Sequence, residues 1–573
     1  MNLTILRKAF LITFGVYMLI GMHYFQPNLG GSGLHLPFNA IGWIFISILM
    51  GIGWWQAKIQ AELVYSRLSL IFITATLVML IPLLYADPIV VGLSYSRLLG
   101  LIGGLLFFIA LQQFRLNQQQ RLMLLYLILA AVFVEALFSL VQYYILPINN
   151  IVGYNKITTQ PSGIFQQSNV AASFLATGII IALYLLTQTK LHEKNKRLFC
   201  YITTVMAVIP LVLLQSRTGY LSLLIAPLML LPWVYLKLRV SKQLQNLFIW
   251  SVCLFLGIAI GGYTLETAEN TVRSIYAGEH ALTNPGGRLP MYAQSLNMWL
   301  EKPLLGWGYG SFEVAYLTSY SEALSQGLNS ASPDQNINHP HNELLYWGIE
   351  GGLIALTGIA LLVIGFLSII IKQPLWRALA LLGLLFPLLL HTQTGYPFYQ
   401  SIAHWIVFLT LIWYIDSRYS DTKTIRLKYT LLLRTLALLI PLLTTLFMLT
   451  TLHTTKLLVQ YEHIDQRDIT PLTKIINPVA WSKRIEFHAM IYRAQVAMRN
   501  NDIAELNNYM RWAAVTSQQV PRAPIYIIWI KILTKLGQDE EAKILLQRTM
   551  LLYPINKLVQ NFYASQADIT QSQ

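Results

Sequence analysis

From its start to about Leu452 the chain alternates long apolar runs with short polar connectors. The runs are roughly 17 to 22 residues long, enough for a helix to cross a hydrocarbon core. Thirteen spans are read, near 8–22, 39–57, 68–86, 93–112, 122–143, 169–188, 198–215, 219–236, 246–264, 348–371, 375–390, 401–415 and 429–450. Only a helix satisfies its own backbone in lipid without closing into a barrel, so the pattern predicts an all-α polytopic membrane protein. The first run has no small-residue cleavage site after it and is read as a retained span. Beyond Leu452 the pattern becomes that of a soluble helical segment. Arg484–Asn500, Asp502–Gln518, Ala523–Leu536 and Asp539–Leu552 read as short amphipathic helices, turned at Asn501 and at Gly537-Gln538. Gly537, Ala542 and Pro554 sit about where a tetratricopeptide-like helix pair places them, and a packed helical cap is the other reading. The expected domains are 1–160 (N-terminal spans), 161–450 (membrane core, with a large outward loop at 265–347) and 451–573 (a helical outward domain).

Composition agrees: 55% of the 573 residues are hydrophobic and 11% charged, with mean hydropathy +0.53, outside the ordinary soluble range. The formal charge of +15 does not point to nucleic acid, because most Lys and Arg lie in short connectors rather than on one soluble face. Arg7-Lys8, Lys58 and Arg67, Arg115 and Arg121, Lys190 to Arg197, Lys237 to Lys242, Lys372 and Arg377, and Arg418 to Lys428 mark one side. Positive charge favours the cytoplasm, so those connectors are cytoplasmic. The connectors around His23–Phe38, Asp87–Gly92 and His391–Gln400 contain neither Lys nor Arg. With an odd number of spans the amino terminus is inside, and the long loop and the tail are outside. Cys200 and Cys253 both fall on the cytoplasmic side of apolar runs, giving no disulfide framework and no thiolate metal site.

Three outward connectors carry more than topology requires. The long loop ends in Asn338-His339-Pro340-His341-Asn342-Glu343 and contains Arg288. A short connector reads Gln215-Ser216-Arg217-Thr218-Gly219. An arginine there must snorkel or meet an anion. The connector before the sixth span reads Thr159-Gln160-Pro161-Ser162-Gly163-Ile164-Phe165-Gln166-Gln167-Ser168-Asn169, an amide cluster in which Ser168 or Asn169 is expected to cap the helix. A sugar on a lipid diphosphate is already activated, so a protein handing it on must hold the diphosphate and deprotonate an acceptor. Arginine suits the first task by its permanent charge and forked donors, which makes Arg217 and Arg288 the candidates. Histidine suits the second, its ordinary pKa of roughly 6.5 allowing it to take a proton near neutrality. Pro340 keeps His339 out of helix, so the rings are expected to point differently. His341 is the expected base, with Asn342 or Glu343 orienting it and His339 in a secondary role. A metal pair also fits the spacing, but Glu301, Glu313 and Asp334 are scattered, and neither cofactor nor metal is expected.

As a set, Gln215-Ser216-Arg217-Thr218-Gly219, Gly287-Arg288, Pro303-Leu304-Leu305-Gly306-Trp307-Gly308-Tyr309-Gly310 and His339–Leu344 resemble the O-antigen ligase superfamily over about Ser162 to Tyr399. The element Phe165–Asn169 and the helical tail are similar, more narrowly, to the bacterial PglL-type protein O-oligosaccharyltransferases. The resemblance implies en bloc transfer of an oligosaccharide from undecaprenyl diphosphate to Ser or Thr of a periplasmic or pilin-like protein, in the inner membrane and without a metal. Carried over, the essential loop histidine falls on His341, with His339 as the alternative, and the phosphate-binding arginines on Arg217 and Arg288. The connector glutamine falls on Gln166 or Gln167, and a tyrosine after the eleventh span on Tyr399 or Tyr396. Asn169 and Asn342 complete the expected substrate contacts.

An O-antigen ligase or a repeat-unit polymerase shares this site logic. A glycolipid acceptor, however, gives a helical tail little to do. A lipid-linked sugar transporter would place ionisable groups inside broken spans and show internal repeats. Glu135 is the clearest in-span carboxylate, and no inverted repeat is evident. A serine hydrolase lacks its Gly-x-Ser-x-Gly elbow on the outward side. An N-linked transferase would be expected to show Trp-Trp-Asp, whereas Trp54-Trp55 is followed by Gln56.

Overall fold

The computed structural model describes residues 3–147, 150–155, 159–188, 193–269, 288–327, 336–463 and 468–571. Gly287, Asp334 and Lys190 therefore lie outside the described residues. The fold is all-α and polytopic, and among the described residues twelve helices are long and apolar enough to cross a membrane. These cover every expected span except 401–415. That segment lies in the helix Ile402–Tyr419, whose Asp416 and Arg418 and early His404 lower its apolar content.

The chain divides into two compact units, Met1–Thr76 with Leu99–Asn284 and Ala360–Ala480, and Leu77–Leu98 with Pro285–Ile359 and Trp481–Gln573. The first is a helical bundle built around Ser168–Leu186, every residue of which from Val170 to Leu186 is buried. It packs on Gln118–Tyr144, Lys194–Leu213, Arg217–Val240 and Leu375–Thr394. Small residues allow this closeness: a Cβ on Gly178 would lie 2.3 Å from Val132, and one on Gly219 would lie 2.8 Å from Ala172. Without a hydrophobic drive between helices in lipid, such close van der Waals contact supplies the attraction. Pro37–Gln60 runs along Leu431–His463 in the same way, with Gly51 against Ala437 and Pro441. Among the described residues the one sheet is a two-stranded antiparallel ladder, Glu62–Ser66 with Thr422–Arg426, in register Glu62↔Arg426 to Ser66↔Thr422.

In the second unit the tail forms Ser482–Asn500, Ile503–Thr516, Ala523–Lys535, Asp539–Leu552 and a fifth helix, Lys557–Gln571. The first four match the sequence expectation to within two residues. Asp502 caps its helix by accepting from Glu505 N at 3.1 Å, and the turns use left-handed Asn501 and Gly537. Tyr526, Ile530, Leu533 and Leu545 form a core with Leu317, which comes from the loop helix Phe312–Ser325.

Candidate active site

In the second unit, Arg288–Glu301, Phe312–Ser325 and the start of Glu343–Ile370 share a small core of Met291, Met298, Phe312, Tyr316, Tyr320 and Ile349. Ile337 and Leu345 pack on it from either side of the histidine turn, anchoring both ends. His341 takes φ +50, a left-handed conformation that histidine tolerates better than most side chains. The Tyr292 hydroxyl donates to the His341 carbonyl at 3.1 Å. Asn342 starts the following helix: its Oδ1 accepts from Leu345 N at 3.0 Å, and its carbonyl from Tyr346 N at 3.0 Å.

The hydrogen bonds assign the protons. An amide oxygen only accepts, so Asn338 Oδ1, 2.6 Å from His339 Nδ1, requires the proton on that nitrogen. His339 Nε2 then accepts from His341 Nδ1–H across 3.1 Å. The basic lone pair of His341 is thereby placed on Nε2. The rings sit edge to face, with centroids 4.1 Å and planes 61° apart, so they point differently, as Pro340 suggested, while remaining in contact. Asn342 starts its helix and Glu343 Oε2 accepts from the Trp347 indole at 3.2 Å, while Asn338 and His339 also orient His341, and the sequence signal for Asn338 was an amide directly before the first histidine.

Burial first, then the charge of Arg288, holds His341 down at about 4. Burial, then His341, then Arg288, holds His339 well below the ordinary histidine value. Both imidazoles are therefore neutral at pH 7, beside a guanidinium. A neutral imidazole of fixed tautomer can take a hydroxyl proton while the neighbouring cation holds an anion. The structure thus brings Arg288, His339, His341 and Asn342 together.

The remaining expected residues belong to the first unit. Arg217 opens Arg217–Val240 and is exposed. Ser216 Oγ caps that helix by accepting from Gly219 N at 3.2 Å, and donates to Asn169 Oδ1 at 2.7 Å. Asn169 and Arg217 are therefore neighbours through Ser216. Neither Ser168 nor Asn169 caps the helix Ser168–Leu186, contrary to expectation. Ser168 Oγ donates to Gln160 Oε1 at 3.0 Å instead, and Gln167 occupies the cap position without a side-chain bond. Gln166 is exposed with φ +57. The Thr218 and Thr394 hydroxyls, 2.8 Å apart, tie the arginine's helix to the segment entering Tyr396 and Tyr399, whose ring centroids lie 5.8 Å apart.

Sequence reading missed what holds the amide connector. Gln142 accepts from Gly163 N at 2.7 Å and donates to Gly163 O at 3.0 Å. Glu135 Oε1 accepts from Ile164 N at 2.9 Å, and its Oε2 lies 3.1 Å from His23 Nδ1. The in-span glutamate is thus engaged as a clamp on this connector. Asn39 likewise donates to Gly33 O and Gln400 O and accepts from Ile402 N, at 2.7, 2.8 and 2.8 Å.

The glycine-rich motif Pro303–Gly310 has a structural use. Helix Glu343–Ile370 is broken at Gly352, φ +60 and ψ −158. The carbonyls of Ile349 and Glu350 accept from Trp307 N at 2.7 Å and Gly308 N at 3.0 Å, and Leu353 N donates to Pro303 O at 2.8 Å. A Cβ on Gly352 would stand 2.2 Å from Leu304 O.

Comparison with known proteins follows the same order along the chain. The Protein glycosylation ligase family matches 161–186, the amide connector and central helix. The O-Antigen ligase family matches 202–360, from before Arg217 through the histidine turn. Along these successive segments the chain is similar to PglL-type members of the O-antigen ligase superfamily. The C-terminal family of virulence factor membrane-bound polymerases matches 379–567, which includes Tyr396, Tyr399 and the tail. A General O-oligosaccharyltransferase of Acinetobacter baylyi is 25% identical over 244 residues. The match spans 40% of this chain and 40% of the length of that relative.

Proposed function

We propose that this chain moves an oligosaccharide en bloc from undecaprenyl diphosphate to a Ser or Thr hydroxyl of a periplasmic or pilin-like protein, at the outer face of the bacterial inner membrane. The observation that carries the reading is the Asn338–His339–His341 relay, which presents a neutral imidazole beside Arg288. In this mechanism His341 Nε2 takes the acceptor's hydroxyl proton as its oxygen bonds to the anomeric carbon. The bond from that carbon to the diphosphate oxygen breaks, and undecaprenyl diphosphate leaves with the electron pair. Arg288 stabilises the growing phosphate charge, and Arg217, at the positive end of its helix, is assigned to phosphate as well. The depressed basicity of His341 then favours release of the proton, resetting the base. Gln166, Gln167, Asn169, Tyr396 and Tyr399 are assigned to the glycan and carrier. The reading needs no metal, because the leaving group is already activated and guanidinium can neutralise it. The Lys- and Arg-rich connectors support an inward amino terminus, with the loop and tail outward.

The test is glycosylation of a co-expressed acceptor, read by intact mass. His341→Ala should abolish the mass gain while the protein remains inserted, and persistent transfer would refute the mechanism. The match to virulence factor polymerases favours a second reading, extension of the glycan on its carrier. In that case the carrier-linked glycan lengthens and no protein gains mass.

A further inference from the structure

Arg97, at the start of Tyr95–Gln113, is buried, as is Glu350, its ion-pair partner seven residues into Glu343–Ile370. The guanidinium lies 4.0 Å from the ring centroid of Tyr346, 4.3 Å from Trp347 and 5.4 Å from Tyr309. Its Nε and Nη1 have no hydrogen-bond partner among the described residues. The charge is thus taken up by one carboxylate and three aromatic faces, an arrangement strongest where water is excluded. Glu350 Oε1 also accepts from Phe312 N at 3.1 Å, which joins the pair to the core under the histidine turn.

The two rings nearest Arg97 lead directly to that turn. Tyr346 N donates to the Asn342 carbonyl, and the Trp347 indole donates to Glu343. Gly352 breaks the helix two residues beyond Glu350, so the stub carrying the histidines cannot rely on the rest of the helix for its orientation. We propose that Arg97 and Glu350 are a positioning pair that braces this stub, and through Tyr346 and Trp347 holds His339 and His341 in place, rather than a contact to the donor. The proposal rests on the glycan-transfer reading.

Full-length protein in liposomes would be assayed with a lipid-linked oligosaccharide and an acceptor peptide, with His341→Ala as the reference. Arg97→Lys and Glu350→Gln should each lower kcat about ten-fold or more, leave the donor KM within about two-fold, and move the acid limb of the pH profile upward as water reaches the loosened imidazoles. The double variant R97M/E350M, which leaves no buried charge unpaired, keeps the test open if the single variants fail to fold. It should insert normally and still show low kcat. Transfer by His341→Ala would overturn the functional reading. An inactive His341→Ala with Arg97 or Glu350 variants of wild-type kcat, whether donor KM is unchanged or raised, would overturn this proposal alone.

Discussion

In the proposed reaction His341 can act as the base only while its Nε2 is unprotonated, so the depression of its pKa would set the acid limit. An ordinary histidine would be half protonated near pH 6.5, whereas His341, held down by burial and then by Arg288, titrates at about 4. As pH falls through 6.5 the neutral base therefore persists, and kcat/KM should decline only as pH nears 4 to 5. Arg288→Gln removes the second cause but leaves burial, so the limb should move part of the way back toward 6.5, alongside a loss of rate. A limb at 6.5 in the wild type would show that the imidazole is solvated in the working enzyme. Asn338 acts one step further away, fixing the tautomer of His339 and through it that of His341. Asn338→Ala should cost about 10- to 100-fold in kcat with little change in donor KM, the usual scale for an outer partner that orients a functional imidazole. Asn338→Asp, which keeps the acceptor, should retain more. The two histidines were legible from residue type and placement. Their proton order was not, because it depends on which neighbour's oxygen is in reach, and Asn342, the more obvious amide, is used to start a helix.

At the scale of elements, the candidate connectors are held by backbone conformations that sequence only hints at. Gly163 has φ +61, and a Cβ there would stand 1.7 Å from Glu135 Oε1. Gly163→Ala should therefore displace the amide connector, destabilise the protein by about 2 kcal/mol or more and reduce transfer. Gly352→Ala should behave similarly, since its φ is also left-handed and Leu304 O lies in the way. Gly262 is the control: it sits in Leu244–Glu269 and an added Cβ would meet nothing within 4 Å, so Gly262→Ala should stay within about 1 kcal/mol of wild type. Thermal unfolding in detergent, with transfer measured in parallel, checks all three. The spans and the tail helices were readable because apolar runs and turn residues punctuate them. The ladder between Glu62–Ser66 and Thr422–Arg426 was not, since two short strands so far apart in sequence carry no mutual signal. Gln142 escaped notice for a related reason: an amide near the end of an apolar run looks like an interfacial residue until the backbone it grips is known.

On the scale of the whole molecule, the tail was legible as helices but not as part of a shared core. Leu317 of the loop helix is buried among Tyr526, Ile530 and Leu533, and Ser321 donates to the Leu551 carbonyl at 3.1 Å. Arg522 pairs with Glu313, and Asn336, three residues before His339, donates to both Glu313 and the Pro521 carbonyl. Hydrophobic pattern alone assigns each of these helices an apolar face and says nothing of which faces meet. Two roles for the tail then predict different outcomes when it is removed. If it served only to recruit folded acceptors, a chain ending at Ala480 would still glycosylate a short peptide supplied at high concentration. Because it supports the helix beside the histidine turn, truncation should instead abolish transfer to peptide and protein alike and expose Leu317 to water. Glu313→Gln is the milder counterpart, weakening the tie through Arg522 while leaving the tail present. It should lower kcat for both acceptor types by a similar factor, and a loss confined to the protein acceptor would assign the tail to recruitment.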